Sequence, residues 1–157
     1  LNDGQRLLAF NDLFIGVSSH VSARYKITYN NKIEEHSSSG IIVSTQAGST
    51  GWLSSVFNMS FGIREFIEND KSKKKYIHLR NNQLMFAVRE PFASKKTQTD
   101  ITTGILSGQS KLIVESFMPN NGLIFSDGIE ADFLKFNSGA IAKIGIAKEK
   151  ANLVLPG

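Results

Sequence analysis

Cysteine is absent from the 157-residue sequence. This absence excludes disulfide bonds and thiolate metal sites, and it suits a reducing compartment, so we expect a cytoplasmic protein. Long hydrophobic runs are also absent: no stretch approaches the ~20 apolar residues of a membrane-spanning helix. The first residues do not form a basic-then-apolar leader, so nothing indicates secretion, and we expect no membrane association.

Internal repeats, low-complexity segments and linkers are absent as well. The composition, with 41% hydrophobic and 20% charged residues, is ordinary for a soluble globular protein. We therefore predict a single domain over residues 1–157 with a real core. Because the sequence begins with Leu1 rather than methionine, we expect it to be a piece of a longer chain.

Common catalytic patterns are missing too. The histidines His20, His36 and His78 lie far apart without metal-like spacing, and we interpret each as a surface or strand residue. No Ser-His-Asp arrangement, metal cluster or pair of carboxylates stands out. The sequence also lacks a phosphate-binding loop that ends in Gly-Lys-Ser or Gly-Lys-Thr.

The charge balance is positive, since 18 basic residues against 14 acidic ones give a net charge of +4. Such a charge favours anionic partners, among them nucleotides, phosphates and nucleic acids. Four lysines form the run KSKKK at 71–75, which is typical of a solvated loop. Nucleic-acid binding would need interleaved aromatic or arginine residues, and only Tyr76 and Arg80 are near. A polyanion-binding β-domain remains an alternative, although nucleic acid is not the expected partner.

Apolar periodicity predicts a mainly β fold. Apolar and polar residues alternate between 21 and 29, as expected for a half-buried strand, and Asn30-Asn31 suits a two-residue hairpin turn. Four successive apolar or β-branched residues within 40–45 indicate a central strand buried on both faces. The predicted strands cover 7–17, 21–29, 32–36, 40–45, 75–80, 83–89, 103–107, 111–117, 122–126 and 139–147. Their number predicts a multi-stranded β-sandwich, or one sheet closed on itself.

One or two short helices follow the central strand. Residues 49–59 place four apolar side chains on one helical face, and Ser49 or Thr50 would be a natural N-cap. Residues 63–70 could extend this helix or form a second one. We therefore expect a strand, a glycine-containing turn and a capped helix in succession.

This strand–turn–helix segment can form a ligand site from its backbone. The first amides of a helix lack intrahelical acceptors, and the positive end of the helix dipole lies beside them. Gly48 and Gly51 would let a ligand approach the main chain, and Trp52 offers a flat face for stacking. Hydroxyl groups at positions 44, 45, 49 and 50 can donate and accept hydrogen bonds. The alternative is that the hydroxyls only cap the helix and Trp52 belongs to the core.

A second polar feature lies in FNDLFIG at 10–16, where Asn11 and Asp12 are adjacent in an otherwise apolar strand. Buried polar groups are costly unless they are hydrogen-bonded, so both side chains need partners. A carboxamide matches the hydrogen-bonding edge of adenine, and a carboxylate can accept from two ribose hydroxyls. The alternative is a turn at the strand end with Asx hydrogen bonds.

Together, FNDLFIG and the segment SSSGIIVSTQAGSTGW at 37–52 resemble the C-terminal domain of the NAD kinase (ATP–NAD kinase) family. That family carries an Asn-Glu or Asn-Asp pair on a strand, followed by Gly-Asp-Gly-Leu-Ile-Val-x-Thr-Pro-Thr-Gly-Ser-Thr-Ala-Tyr. The order and the intervening distance fit, and FSDG at 125–128 is similar to the family's later Asp-Gly turn. The resemblance implies a β-rich domain that follows a nucleotide-binding α/β domain.

The resemblance also implies roles for individual residues. Asn11 and Asp12 would bind the adenosine part of NAD, residues 50–52 would line the adenine and ribose pocket, and Ser55 would lie one helical turn further in. The expected binding residues are Asn11, Asp12, Ser39, Gly48, Thr50, Gly51, Trp52 and Ser55.

Three departures from the family pattern concern this pocket. Ser39 replaces the aspartate of Gly-Asp-Gly, which removes a charge on the nicotinamide side. Gln46-Ala47 replace Pro-Thr, and Gly51-Trp52 replace Ala-Tyr. These changes are consistent with a reshaped pocket in a divergent branch of the family.

The family's Gly-Gly-Asp-Gly-Thr motif, which holds the ATP phosphates and supplies the aspartate that activates the 2′-hydroxyl of NAD, is absent from residues 1–157. Phosphoryl transfer depends on such positioning, so we expect this chain to bind NAD without catalysis and to have no metal site of its own. ATP or polyphosphate and Mg²⁺ are expected only with an N-terminal domain. The resemblance further implies a homo-oligomer; a non-catalytic oligomerisation module is an alternative.

Two further segments carry weaker signals. Arg89-Glu90 ends an apolar strand just before Pro91, which indicates either an edge-strand ion pair or an arginine near a ligand phosphate. Asp127-Gly128 predicts a turn.

Overall fold

The structure is a computed structural model that describes residues 1–69 and 75–151, so the lysine run at 71–75 lies outside the described residues apart from the exposed Lys75. The elements are β1 (Asp12–Val17), β2 (Ala23–Tyr29), β3 (Lys32–Ser38), β4 (Ile41–Ser44), a 3-10 turn (Ala47–Thr50), α1 (Trp52–Glu68), β5 (Gln83–Val88), β6 (Thr103–Ser107), β7 (Leu112–Ser116), β8 (Gly122–Ser126), β9 (Ile129–Lys135) and β10 (Ile141–Ile144).

Two antiparallel sheets build the domain, which confirms the predicted mainly β, sandwich-like fold. The six-stranded sheet has the order β6-β5-β4-β1-β8-β9, and the four-stranded sheet has the order β10-β7-β2-β3. Asn30 and Asn31 connect β2 to β3 with φ angles of 48° and 64°, the left-handed conformation of a tight hairpin turn. The turn prediction for this pair is therefore confirmed.

The main core contains fully buried side chains from both sheets, such as Tyr25 and Ile27 of β2 and Ile41 of β4. Burial of each large aliphatic side chain stabilises the fold by about 1.5–3 kcal/mol. Ile42, the next residue of β4, belongs to a second cluster that includes Phe14 of β1 and extends to α1. All four residues of β4 are buried, which confirms that this strand is covered on both faces.

α1 packs on the outer face of the six-stranded sheet through Leu53, which is buried. It is one continuous helix, so residues 63–68 extend it rather than form a second helix. The predicted N-cap is wrong: Ser49 and Thr50 lie in the preceding 3-10 turn, and the N-cap is Gly51, which makes no side-chain capping bond. No helix in the described part of the chain is long and apolar enough to cross a membrane.

The structure differs from the predicted set of strands chiefly at three places. β1 begins only at Asp12, because the backbone N–H groups of residues 10–12 are turned toward another loop. Residues 75–80 form no strand, since Leu79 instead packs against α1 and β5. β9 was not predicted, although Ile129, Ala131 and Phe133 alternate with acidic residues in its sequence; its residues are exposed almost throughout, so this alternation does not mark a buried face.

Candidate functional site

A cleft of about 430 Å³ lies where the start of β1, the turn between β4 and α1, and the turn between β8 and β9 meet. Six of the eight predicted binding residues line it. The lining residues are Asn11, Asp12, Ala47, Gly48, Thr50, Gly51, Trp52, Asp127 and Gly128. The two segments that carry the family resemblance are therefore brought together, although about thirty residues separate them along the chain.

Asp127 holds the start of β1 in place. Its carboxylate accepts hydrogen bonds from the backbone N–H groups of Phe10, Asn11 and Asp12, at 2.9, 2.6 and 3.1 Å. In return, the backbone N–H of Asp127 donates to the carbonyl of Asp12 at 2.9 Å. Asp127 and Gly128 have φ angles of 54° and 73°, so the predicted turn is confirmed. This turn fixes the backbone from which the Asn11 and Asp12 side chains extend.

The turn after β4 holds Asn11 from the other side. The backbone N–H of Thr45 donates to the Asn11 carbonyl at 2.9 Å. A Cβ on Gly48 would lie 2.2 Å from that same carbonyl oxygen. Glycine is therefore required at 48 because the protein's own backbone approaches it, and not, as expected from the sequence, to admit a ligand. At Gly51 a Cβ would meet only the Gly48 carbonyl, at 3.4 Å, so this position has room beside the cleft.

The side chains of Asn11 and Asp12 are less buried than the sequence suggested. Asn11 is exposed and Asp12 is half-buried, because both lie at the start of a strand rather than within one. Within the described residues neither side chain forms a hydrogen bond to protein, so the Asx turn considered as an alternative does not form. Both side chains are available to a molecule in the cleft.

Asp12 lies in an electrostatically unfavourable position. Burial raises the pKa of the Asp12 carboxyl above its usual range, and the neighbouring Asp127 carboxylate raises it further. No positively charged side chain is among the lining residues of the described cleft. The ionised form of Asp12 would be stabilised by donors such as hydroxyl groups from a bound molecule.

Trp52 contributes both to the core and to the cleft. Its ring stacks on Phe14 at a centroid distance of 5.2 Å with an interplanar angle of 14°, and it lies 6.4 Å from the ring of Phe125. The guanidinium of Arg89 lies over the Trp52 ring, 5.3 Å from its centroid. Among the described interactions Arg89 makes this cation–π contact and no ion pair with Glu90, which was one of the two alternatives for this segment.

The hydroxyl groups of the turn and of the start of α1 differ in whether they are free to bind a ligand. Ser49 and Ser55 donate to the backbone carbonyls of Gln46 and Trp52, at 2.7 and 2.6 Å. Thr45 donates to the carbonyl of Phe10 at 2.7 Å, so its hydroxyl serves the fold. The Thr50 hydroxyl is exposed, lines the cleft and has no protein hydrogen bond among the described residues.

Two predicted binding residues lie outside the lining of the cleft. The Ser39 hydroxyl donates to the carboxylate of Glu90, and the Ser55 hydroxyl bonds within α1. Conversely, Asp127 lines the cleft but was predicted only as part of a turn. The motif FSDG, which contains Asp127, can be recognised in the sequence, but the hydrogen bonds between Asp127 and residues 10–12 cannot. Within the described ranges, no group of three or more potential metal ligands occurs.

No protein-family model and no curated protein matches the sequence. Among solved structures, an NAD kinase from Archaeoglobus fulgidus in complex with ATP has a TM-score of 0.59 and 17% identity, over 90% of this chain and 47% of that chain. Yeast NADH kinase complexed with NADH has a TM-score of 0.54 and 14% identity, over 87% of this chain and 34% of that chain. This chain thus spans less than half the length of either protein. The two-sheet domain has an NAD kinase-like fold.

Proposed function

We propose that this chain is the NAD-binding β-domain of an NAD kinase-like protein. The whole protein would transfer a phosphoryl group from ATP or polyphosphate to the 2′-hydroxyl of the adenosine ribose of NAD. An N-terminal domain would hold the phosphoryl donor, Mg²⁺ and the aspartate that activates the hydroxyl. The fold shared with an ATP-bound NAD kinase and an NADH-bound NADH kinase supports this proposal.

One observation carries the proposal. The backbone of Asn11 and Asp12 is fixed by the Asp127 turn and by Thr45, whereas their side chains, beside the cleft, have no hydrogen-bond partner among the described residues. Rigid main chain combined with unsatisfied polar side chains is the preorganisation that binding sites need. A carboxamide and a carboxylate in this arrangement suit adenine and the ribose hydroxyls.

The neighbouring turn completes the proposed site. The Thr50 hydroxyl would hydrogen-bond the nucleoside, and Gly51 would leave room for it. Trp52, supported from within by Phe14, would border the bound adenosine. The chain by itself binds NAD and transfers nothing, because its residues do not include the donor-binding loop.

The proposal includes association of this domain with an N-terminal domain and with copies of itself. The second half of α1 exposes an apolar stripe, defined here as Met59, Ile63, Phe66 and Ile67. These residues are spaced i, i+4, i+7 and i+8, so they lie on one helical face. We propose that this stripe packs against the same stripe of a second copy, since exposed patches of this kind mark protein interfaces.

Titration of the 157-residue chain with NAD tests the function. We expect saturable binding of NAD and no formation of NADP when ATP and Mg²⁺ are added. Oligonucleotide binding that weakens steeply with salt, without binding of free NAD, would favour the polyanion-binding alternative and contradict the proposal. Turnover by this chain comparable to that of an intact kinase would contradict the assignment of catalysis to another domain.

A further inference from the structure

The charged side chains that line the described cleft are both acidic: Asp12 and Asp127, hereafter the acid pair. Arg89 is the cation near the cleft, but it lies over the ring of Trp52 and is not among the lining residues. A molecule that enters the cleft therefore meets two carboxylates and the neutral groups of Asn11 and Thr50.

The negative charge of Asp127 cannot move away from the cleft. Three backbone N–H groups donate to its carboxylate, and the backbone N–H of Asp127 donates to the Asp12 carbonyl at 2.9 Å. A flexible surface carboxylate could turn into solvent when an anion approaches, but Asp127 would first have to give up these bonds. Burial raises the pKa of Asp12, and the charge of the nearby Asp127 carboxylate raises it further.

We infer that the acid pair makes the cleft selective for a dinucleotide whose adenosine ribose has free hydroxyl groups, and against one that carries a 2′-phosphate. This inference rests on the proposed function. A carboxylate accepts hydrogen bonds from ribose hydroxyls but repels a phosphate group, and in other dinucleotide sites an acidic residue selects NAD whereas an arginine accommodates the 2′-phosphate. No lysine or arginine of the described lining could perform the second role.

The consequence concerns product release. The reaction proposed above converts a ribose hydroxyl, which the acid pair attracts, into a phosphate ester, which it repels. Interactions that favour the substrate over the product help an enzyme to discharge the product, a step that often limits turnover. The acid pair would thus keep the domain from being occupied by the phosphorylated dinucleotide.

The test compares NAD and NADP by calorimetric titration of the 157-residue chain and its Asp127→Asn variant. The Oδ1 atom of Asp127 accepts from both Asn11 and Asp12, so the amide oxygen of asparagine can keep those two bonds while the charge is removed; the bond from the Phe10 N–H to Oδ2 is lost. Glu130→Gln is the matched control, because Glu130 is an exposed acid three residues further along that does not line the cleft.

We expect wild type to bind NAD at least about tenfold more tightly than NADP, since juxtaposed like charges repel each other. Asp127→Asn should reduce this ratio several-fold, and Glu130→Gln should leave the ratio unchanged. Wild type alone offers a second measurement if the variant fails to fold: raising NaCl from about 50 to about 500 mM should narrow the ratio by screening the repulsion.

The outcomes separate the inference from the proposed function. If NAD and NADP bind equally well, or if the ratio responds neither to salt nor to Asp127→Asn, the acid pair does not discriminate and only the inference is overturned. If neither dinucleotide binds, the proposed function is overturned and the inference with it.

Discussion

At the scale of single residues, Asp12 combines a cost in stability with a proposed benefit in binding. Its carboxylate is half-buried, lies near the carboxylate of Asp127 and has no protein hydrogen bond among the described residues. For folding stability alone an asparagine would be more favourable than Asp12, because it could occupy the position without a charge. Strained or unfavourable electrostatics of this kind are typical of functional sites.

Asp12→Asn should therefore raise the melting temperature at neutral pH and weaken NAD binding. The pKa of Asp12 is higher in the folded protein than in the unfolded chain. Between about pH 4 and the folded pKa, the folded protein therefore binds more protons than the unfolded chain. In this range the stability of the wild-type protein falls as the pH rises. The difference from wild type should vanish below about pH 4, where the carboxyl is protonated in both states. Thermal melts across this range test the prediction, with the exposed Asp132→Asn as control; a lower melting temperature of Asp12→Asn at neutral pH would contradict it.

The placement of single residues could be predicted from the sequence where local chain geometry determines it. Asn11, Asp12 and the turn residues 50–52 were assigned to one site because each lies in a short segment with a recognisable pattern, and the structure brings them to one cleft. The role of Asp127 could not be predicted, since it depends on hydrogen bonds to residues 115 to 117 positions earlier in the chain. Gly48 was predicted for the wrong reason, because the backbone that approaches it is that of Asn11.

At the scale of elements, the free edge of β3 is covered by the segment that follows β5. The backbone N–H of Phe92 donates to the Ser37 carbonyl at 2.9 Å, and that of Gln98 donates to the Glu35 carbonyl at 3.0 Å. Glu34 completes this attachment: its buried carboxylate accepts from the Ile101 N–H at 3.0 Å and bonds the imidazole of His36 at 2.9 Å. Covering an edge strand in this way prevents pairing with other chains.

Glu34→Ala should lower the free energy of unfolding by about 1–3 kcal/mol, the usual cost of leaving buried partners unsatisfied. Burial alone would raise the pKa of Glu34, but hydrogen bonds from the Ile101 N–H and from His36 outweigh it, and the pKa is lowered. This stabilisation is present above the unfolded pKa and is lost as the pH falls through the folded pKa. Denaturant unfolding at neutral and acidic pH should thus show the largest deficit at neutral pH. The exposed neighbour Glu35→Ala is the control, and an equal loss in both variants would refute a specific role.

Elements were predictable where burial imposes a pattern on the sequence. β4 is buried throughout and was recognised from its continuous apolar run. β9 is the edge strand beside β8 and is exposed along most of its length, yet Ile129, Ala131 and Phe133 alternate with acidic residues, so its pattern was present in the sequence and was missed. The strand predicted at 75–80 does not form. Leu79 is apolar because it packs against α1 and β5, and not because it belongs to a strand.

At the scale of the whole molecule, the described domain covers 47% and 34% of the two similar proteins. The apolar stripe of α1 is exposed to solvent, and its Phe66 is 90% exposed. An apolar ring so exposed to water is unfavourable in a lone domain.

Sedimentation should accordingly detect self-association of the 157-residue chain, and Phe66→Glu should shift it to the monomer. The substitution places a charge in the proposed contact between two stripes while leaving the core of the domain untouched. Glu65→Lys changes a charge on the opposite face of α1 and serves as control. A strict monomer at high concentration for wild type would count against the proposed interface.

The central claim is that Asn11 recognises the adenosine part of NAD, and calorimetric NAD titration of wild type and Asn11→Ala tests it most directly. Because the Asn11 side chain is exposed and has no hydrogen-bond partner in the part of the chain that the structure describes, its removal should leave the thermal melt unchanged while weakening NAD binding by about 1–3 kcal/mol. Asn120→Ala, an exposed asparagine at the opposite end of β8, should change neither quantity. Equal NAD affinity of wild type and Asn11→Ala, measured on folded protein, would contradict the account.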